Sequence, residues 1–539
     1  MDSGVRRFKE GVGSGRDTTD RRVQQGLRKK KERNQARLKA RRSAMTTMDT
    51  PTAAFEQLRA HTLALLQQGP QQVEPIELIT AIQQSLCYPD RDVAEGAVHD
   101  FFGTPQGPDL LRWIASLISA GPKSPLFGLA LACVTEISFD SRNVAYVEVL
   151  CRAGVHEAGL SWLTADRGLP GEIRQDIFAM LGNTARNNEH ARLMILQSPG
   201  TIKALTQNLL NGVEHLDWPI ISLTLYMMYV LCENSHGGIT PPLSHFEPTL
   251  SALTTVMKLV MEVSPSELLV EQYDSALGIL SFFEAIALNT NLSEQASEDT
   301  QLLVQQRNGV LLMAQTPEVQ HFLAYALQSK NRQLAKKAAS TISFTASAGV
   351  DAIQPLLEAN ILPLLVNLLN QIRTEPYAVR HIIRFIFLLT TYKGAYIERL
   401  LQSEALATVC GLLKGDRGRV LDQQQMTYAI YALHRVCTLE AEPLKLKALY
   451  TELCNEHFLG AALAQALRRC VQSGDVELTE DVIDSLTSLL CYCPKIVMQQ
   501  MEEQDAINLL SRIQHVVNTQ STLYKKAVAL EQTYFEAYS

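Results

Sequence analysis

Residues 358–369 read Glu-Ala-Asn-Ile-Leu-Pro-Leu-Leu-Val-Asn-Leu-Leu, and residues 402–413 read Gln-Ser-Glu-Ala-Leu-Ala-Thr-Val-Cys-Gly-Leu-Leu. Both open on a small or polar corner and run into a Leu-rich segment with helical spacing. A third copy lies far upstream, in Ser-Pro-Gly-Thr-Ile-Lys-Ala-Leu-Thr-Gln-Asn-Leu-Leu at residues 198–210. Each copy is followed, after a break, by an apolar helix rich in small residues. That second element shows as Val134-Thr-Glu-Ile-Ser138, Leu181-Gly-Asn-Thr-Ala185, Ile342-Ser-Phe-Thr-Ala346 and Phe387-Leu-Leu-Thr-Thr391.

Glu136, Asn183, Val230, Phe282, Phe344 and Leu389 occupy equivalent places in successive copies. Their separations are 47, 47, 52, 62 and 45 residues, the long one accommodating a polar insertion at Asn289–Thr300. A period of roughly 40–47 residues with two or three helices per unit is armadillo/HEAT spacing. The expectation is an all-α, right-handed armadillo-repeat solenoid of about ten repeats between residues 75 and 539. Ahead of it, Thr52–Gln68 reads as one helix ended by Gly69-Pro70, and Ile76–Leu86 as the next. The organisation expected is a basic arm at 1–45, a linker and leading helix at 46–75, the array at 76–500 and terminal helices at 501–539.

Length fits this reading, since 539 residues are too many for one ordinary core while a stacked array grows without limit. Hydrophobic residues at 46% and charged residues at 19% suit a folded chain. No apolar run approaches the roughly 18–20 residues of a membrane span, the longest being near Leu126–Val134 and Phe385–Leu389. The N-terminus has charge but no apolar core of a secretory signal, so the ten cysteines read as reduced core thiols in a cytoplasmic or nuclear protein. Cys491 and Cys493 alone lie close in sequence, and C-x-C by itself is a poor zinc motif.

The formal charge of -7 conceals a separation. Residues 1–42 hold 15 Lys/Arg and 5 Asp/Glu, a net +10, which leaves -17 on the rest. After Arg6-Arg-Phe-Lys9 and a Gly-rich hinge at Gly11–Gly15, a helix from about Thr18 to Arg42 would carry Val23, Leu27 and Leu38 as a thin apolar stripe. Arg21, Arg22, Arg28, Lys29, Lys30, Lys31, Arg33, Arg37, Lys39, Arg41 and Arg42 surround it with charge. So little apolar surface orders only against an acidic partner. Nucleic acid suits the charge, but no aromatic residue for base stacking follows Phe8 within the arm. A solvated tail or plain targeting signal is the other alternative.

The order R-R-F-K, G-R-D, R-R, L-R-K-K-K, K-A-R-R over Arg6–Arg42 resembles the importin-β-binding segment of importin-α. Leu523-Tyr-Lys-Lys-Ala-Val-Ala-Leu-Glu-Gln-Thr-Tyr-Phe535 is similar to that family's closing helix, and Thr240-Pro-Pro-Leu-Ser-His-Phe246 to its mid-array loop. The resemblance implies a nuclear import adaptor that shuttles between cytoplasm and nucleus. Its partners would be importin-β on the arm (Arg21, Arg22, Leu27, Arg28, Lys29, Lys30, Lys31, Lys39, Arg41, Arg42), cargo proteins with basic localisation signals in the groove, and a nuclear export receptor at the C-terminal repeats. It implies no catalysis, no cofactor, no nucleic acid and no membrane span. It also implies an arm that occupies the groove when importin-β is absent. Lys39-Ala-Arg-Arg42 is the best mimic of a signal, and a +10 segment tethered to a -17 body has a high effective concentration there.

The groove departs from the family, whose inner helices carry W-x-x-x-N. Four residues after Trp113, Trp162 and Trp218 stand Leu117, Asp166 and Ser222. At the matching pairs (Ala132/Glu136, Ala179/Asn183, Tyr226/Val230, Gly278/Phe282, Ser340/Phe344, Phe385/Leu389) only Asn183 keeps the peptide clamp. Only Tyr226 and Phe385 keep an aromatic slot wall. The pocket for the key lysine maps to Asp140, Ala145 and Asn187, where Asp140, with Glu136 or Glu233, would restore the missing charge. A missing cation–π interaction weakens binding by about 0.5–2 kcal/mol, and a missing charged hydrogen bond by about 1.5–3 kcal/mol. Several such deficits would turn a tight site into a millimolar one. The alternative is therefore an armadillo scaffold that uses importin-β for its own import or carries a dedicated cargo of another kind. An adaptor would point Glu136, Asp140 and Glu233 inward, whereas a scaffold would present Phe282, Phe344 and Leu389 as an apolar surface.

Other motifs fall away. Gly11-x-Gly13-x-Gly15 follows no strand, His156-Glu157 lacks the second histidine of a zinc helix, and Glu477, Glu480, Asp481 and Asp484 read as a solvated helix face.

Overall fold

The computed structural model describes residues 51–538, apart from 69–72, 88–90, 140, 166–168, 234–240, 297–299, 373–374, 393–395, 416–420 and 441. The arm, with every importin-β-binding residue expected from the sequence, lies outside the described residues, as does Asp140. The chain divides into two compact units, residues 1–212 and 213–539.

The repeating element is a helix triplet. In the first unit Val144–Arg152 and Val155–Ala165 are followed by the longer Gly171–Asn187. In the second, Val350–Glu358, Ile361–Gln371 and Pro376–Thr391 make one triplet, and Ile397–Gln402, Ala405–Lys414 and Gln423–Cys437 make the next. The third helices carry the core of each unit, and we number them in chain order. The first unit holds α1 (Pro75–Leu86), α2 (Phe127–Phe139) and α3 (Gly171–Asn187). The second unit holds α4 (Trp218–Cys232), α5 (Val270–Ala296), α6 (Arg332–Ala346) and α7 (Pro376–Thr391). It continues with α8 (Gln423–Cys437), α9 (Val476–Tyr492) and α10 (Thr522–Tyr538). Within each unit every third helix packs on the next. Three and seven such helices match the ten repeats expected, and no strand occurs among the described residues.

The sequence sets the helix starts. Asp422 accepts from the Gln425 amide while the Gln425 side chain returns to the Asp422 N–H, a full capping box. Asp217, Asn331 and Asp475 cap α4, α6 and α9 in the simpler way. Between the first and second helices of a triplet one residue takes the left-handed conformation: Gly154, Asn360, Glu404, Phe458 and Asp505, with φ of 81°, 59°, 59°, 54° and 55°. The same corner recurring at the same place confirms the register of the repeat.

The polar insertion at Asn289–Thr300 begins inside a helix, since α5 runs on to Ala296. Eight of the ten cysteines are buried, and all ten are free thiols; Cys454 and Cys493 bring their Sγ atoms to 3.8 Å. No single helix among the described residues is long and apolar enough to cross a membrane.

Candidate functional site

On the first unit the candidate clamp residues face the preceding repeat. Helix α2 ends at Phe139, so its last carbonyls have no partner within the helix. Asn143 and Asn187 supply one, and Asn183 reaches the carbonyl just before them. Asn143 donates to the Ile137 carbonyl at 3.0 Å, Asn187 to Ser138 and Phe139 at 2.8 and 3.0 Å, and Asn183 to Thr135 at 3.5 Å. Asn183 is only 5% exposed. The Nδ2 donors that would hold a bound peptide are committed to joining α2 to α3. Glu136 stands half-buried on α2.

On the second unit both expected aromatic walls are core residues. Phe385 is 0% exposed and Tyr226 is 6% exposed, so neither offers a ring face to a ligand. Of the alternative apolar surface, Phe282 and Leu389 are likewise buried, and only Phe344 is half-exposed. Glu233 is half-buried and accepts from the Tyr229 hydroxyl at 2.9 Å.

The accessible aromatic surface lies on neighbouring residues. Phe387 on α7 is half-exposed, with its ring 5.9 Å from Tyr428 and 6.0 Å from Tyr431, both on α8. Next along the ladder stands an acidic stretch on α9. The Tyr431 hydroxyl donates to Glu477 at 3.4 Å, and burial together with Glu477, Asp481 and Asp475 pushes that phenol up to about 12. His434 Nε2 approaches the Asp481 carboxylate to 3.8 Å while Nδ1 contacts Ser485 Oγ at 3.0 Å. Burial raises the Asp481 carboxyl, against the opposing pull of His434 and Lys526. Lys526 of α10 bridges Glu480 at 3.2 Å and Asp484 at 2.7 Å. These acids, read from sequence as a solvated face, thus form an ordered network. Phe387 and Tyr431 sit one repeat apart, so the period itself held the signal that alignment to Phe385 missed.

Deeper in the same face, Glu284 of α5 is 8% exposed and paired with Lys337 of α6. It also accepts from Ser340 and, at 3.1 Å, from Tyr377. A buried carboxylate with three donors fixes α5, α6 and α7 in register.

An all-α array of helix triplets, with a left-handed corner and a ladder of third helices, is an armadillo solenoid. No protein-family model matches the chain, and no curated protein matches it. Among solved structures it is similar to an engineered protein of the Northeast Structural Genomics Consortium, at 15% identity over 85% of this chain and 98% of that one, with a TM-score of 0.56. It is also similar to a structure from work on a phosphorylation switch between cadherin and beta-catenin (13% identity, 92% and 98% covered, TM-score 0.47). A designed armadillo repeat protein in complex with the peptide (KR)4 matches at 18% identity over 47% and 99%, with a TM-score of 0.32. The first likeness supports the fold; the other two superpose too loosely to add to it.

Proposed function

We propose that this chain is a protein-recognition scaffold serving nuclear import, with residues 21–42 as the handle for importin-β and the third-helix face as the seat of a partner peptide. The observation that carries the reading is the charge separation, +10 on residues 1–42 against -17 on the repeat body. An arm with that charge and so thin an apolar stripe needs an acidic receptor to order it. The repeat body offers long rows of side chains suited to extended segments and catalyses nothing in this reading.

A specific observation favours a cargo other than the simplest lysine-rich signal. Asn183 and Asn187 commit their amides to α2, and Tyr226 and Phe385 are buried. Basic side chains find a better match on α7 to α9, where Phe387 and Tyr431 offer rings for their stems and Glu477 and Asp481 offer charge.

The test is calorimetric titration of purified importin-β into the full chain and into the Arg28→Ala/Lys29→Ala/Lys30→Ala/Lys31→Ala variant. Tight binding is expected for the first and a loss on the order of a hundredfold for the second. Absence of binding to the unmodified chain, or equal binding to both, would overturn the importin-β reading.

A further inference from the structure

Five Lys and Arg side chains stand on α6 and α7: Arg332 is exposed to solvent at the first turn of α6, and three of the other four have an acid of their own. Lys336 pairs with Glu375, Lys337 with Glu284, and Arg380 with Asp422 at 3.2 Å. Arg384 is the exception. Its Nη1 donates to the Ser343 carbonyl at 3.3 Å and to Ser343 Oγ at 3.2 Å, and its Nη2 to Ser347 Oγ at 2.7 Å. Its guanidinium carbon stands 5.1 Å from the centre of the Phe344 ring. No carboxylate among the described residues comes within ion-pair distance of it.

A partly buried cation held only by neutral groups lacks a counter-charge, and an anion that reaches it supplies one. One turn earlier on α7 lies a second incomplete group. His381 is 5% exposed, wedged between Phe344 and Tyr377 at ring distances of 5.0 and 4.5 Å. Its Nδ1 is buried and has no hydrogen-bond partner. Buried polar atoms are seldom left so. Arg384, Phe344 and Ser347 are each half-exposed, which leaves a way in from the surface.

We propose that Arg384, with Ser347 and His381 beside it, forms an anion subsite that takes the carboxylate of an Asp or Glu side chain from an extended acidic peptide. The inference rests on the reading of the third-helix face as a peptide seat. It adds that the seat is bipolar: the α6–α7 stretch takes acid, while the α8–α9 stretch around Tyr431, Glu477 and Asp481 takes base. A carboxylate matches the planar fork of the guanidinium. A uniformly lysine-rich signal would meet Arg384 as a like charge.

The experiment is fluorescence anisotropy on the full chain with two labelled probes, an alternating Glu-Gly dodecapeptide and its Lys-Gly counterpart. The basic arm is a rival binder for the acidic probe, so the Arg384 variants decide. Arg384→Gln is expected to weaken the acidic probe about tenfold, and Arg384→Lys to weaken it less. Ser347→Asp supplies the missing carboxylate within the chain, so it is expected to raise the melting temperature and to weaken the acidic probe as well. That variant keeps the test open should Arg384→Gln fold poorly. Unchanged affinity of the acidic probe for both Arg384→Gln and Ser347→Asp would overturn the subsite. If the lysine probe binds and the acidic one does not, the subsite alone falls. If neither binds, the peptide-seat reading falls with it.

Discussion

Phe387 lies two positions beyond Phe385, and in an α-helix that is a rotation of about 200°. Alignment to a family pattern selects Phe385 as a slot wall, yet the structure places it at 0% exposure in the core and turns Phe387 outward toward Tyr431. Helix propensity was legible at both positions; which face each occupied was not, because every residue from Ile382 to Leu389 except Arg384 is apolar. The two roles separate by mutation. Phe385→Ala leaves a cavity and is expected to cost about 3–5 kcal/mol in urea unfolding. Phe387→Ala is expected to cost well under half of that and to weaken a lysine-rich peptide instead. A stability loss below about 1 kcal/mol for Phe385→Ala would return it to the surface. The asparagines follow the same logic, for Asn183 and Asn187 were legible as special, being amides in an apolar helix. Sequence could not show that the open carbonyl end of α2 lies within their reach.

At the scale of the element, punctuation residues explain what was read and what was missed. The helix at Pro51–Gln68 and the one beginning at Pro75 were legible because Gly69-Pro70 and Pro75 stop and start helices by known rules. The stretch from Asn289 stands out in the sequence as a polar insertion, yet it contains neither Gly nor Pro, and α5 continues into it as far as Ala296. Polarity marks exposure, whereas breaking a helix takes a backbone reason. Left-handed corners supply that reason inside five of the triplets, and only one of the five is glycine. A residue with a Cβ is disfavoured by about 1–2 kcal/mol in that conformation, asparagine less. Glycine in turn costs about 0.4–1 kcal/mol through the freedom of the unfolded chain. Glu404→Gly is therefore expected to raise stability by roughly 0.5 kcal/mol, and Asn360→Gly to change it little. Chemical denaturation of the two variants side by side checks this, and a destabilised Glu404→Gly would mean that the exposed Glu404 side chain contributes something its surroundings do not reveal.

Over the whole molecule the governing quantity is the distribution of charge. The period of the repeats and the +10 arm were both legible from the letters alone, since neither depends on which way a side chain points. What lay beyond reach was the pattern on the ladder itself. There, cations gather on α6 and α7 and acids on α9 of the second unit, so that no single sign describes the ladder. That division bears on the arm. If residues 1–42 compete with cargo, their attraction is to the acidic stretches and must fade with salt, because the Debye length shrinks from about 10 Å at 0.1 M to about 3 Å at 1 M. A chain lacking residues 1–45 is expected to bind the lysine probe more tightly than the full chain at about 50 mM salt. The two should converge near roughly 0.5 M, and the acidic probe should show the opposite order, since the arm that excludes the one attracts the other. Anisotropy titrations across that salt series give both comparisons at once. Equal affinities of the two chains for the lysine probe at low salt would mean that the arm leaves the ladder alone and answers only to its receptor.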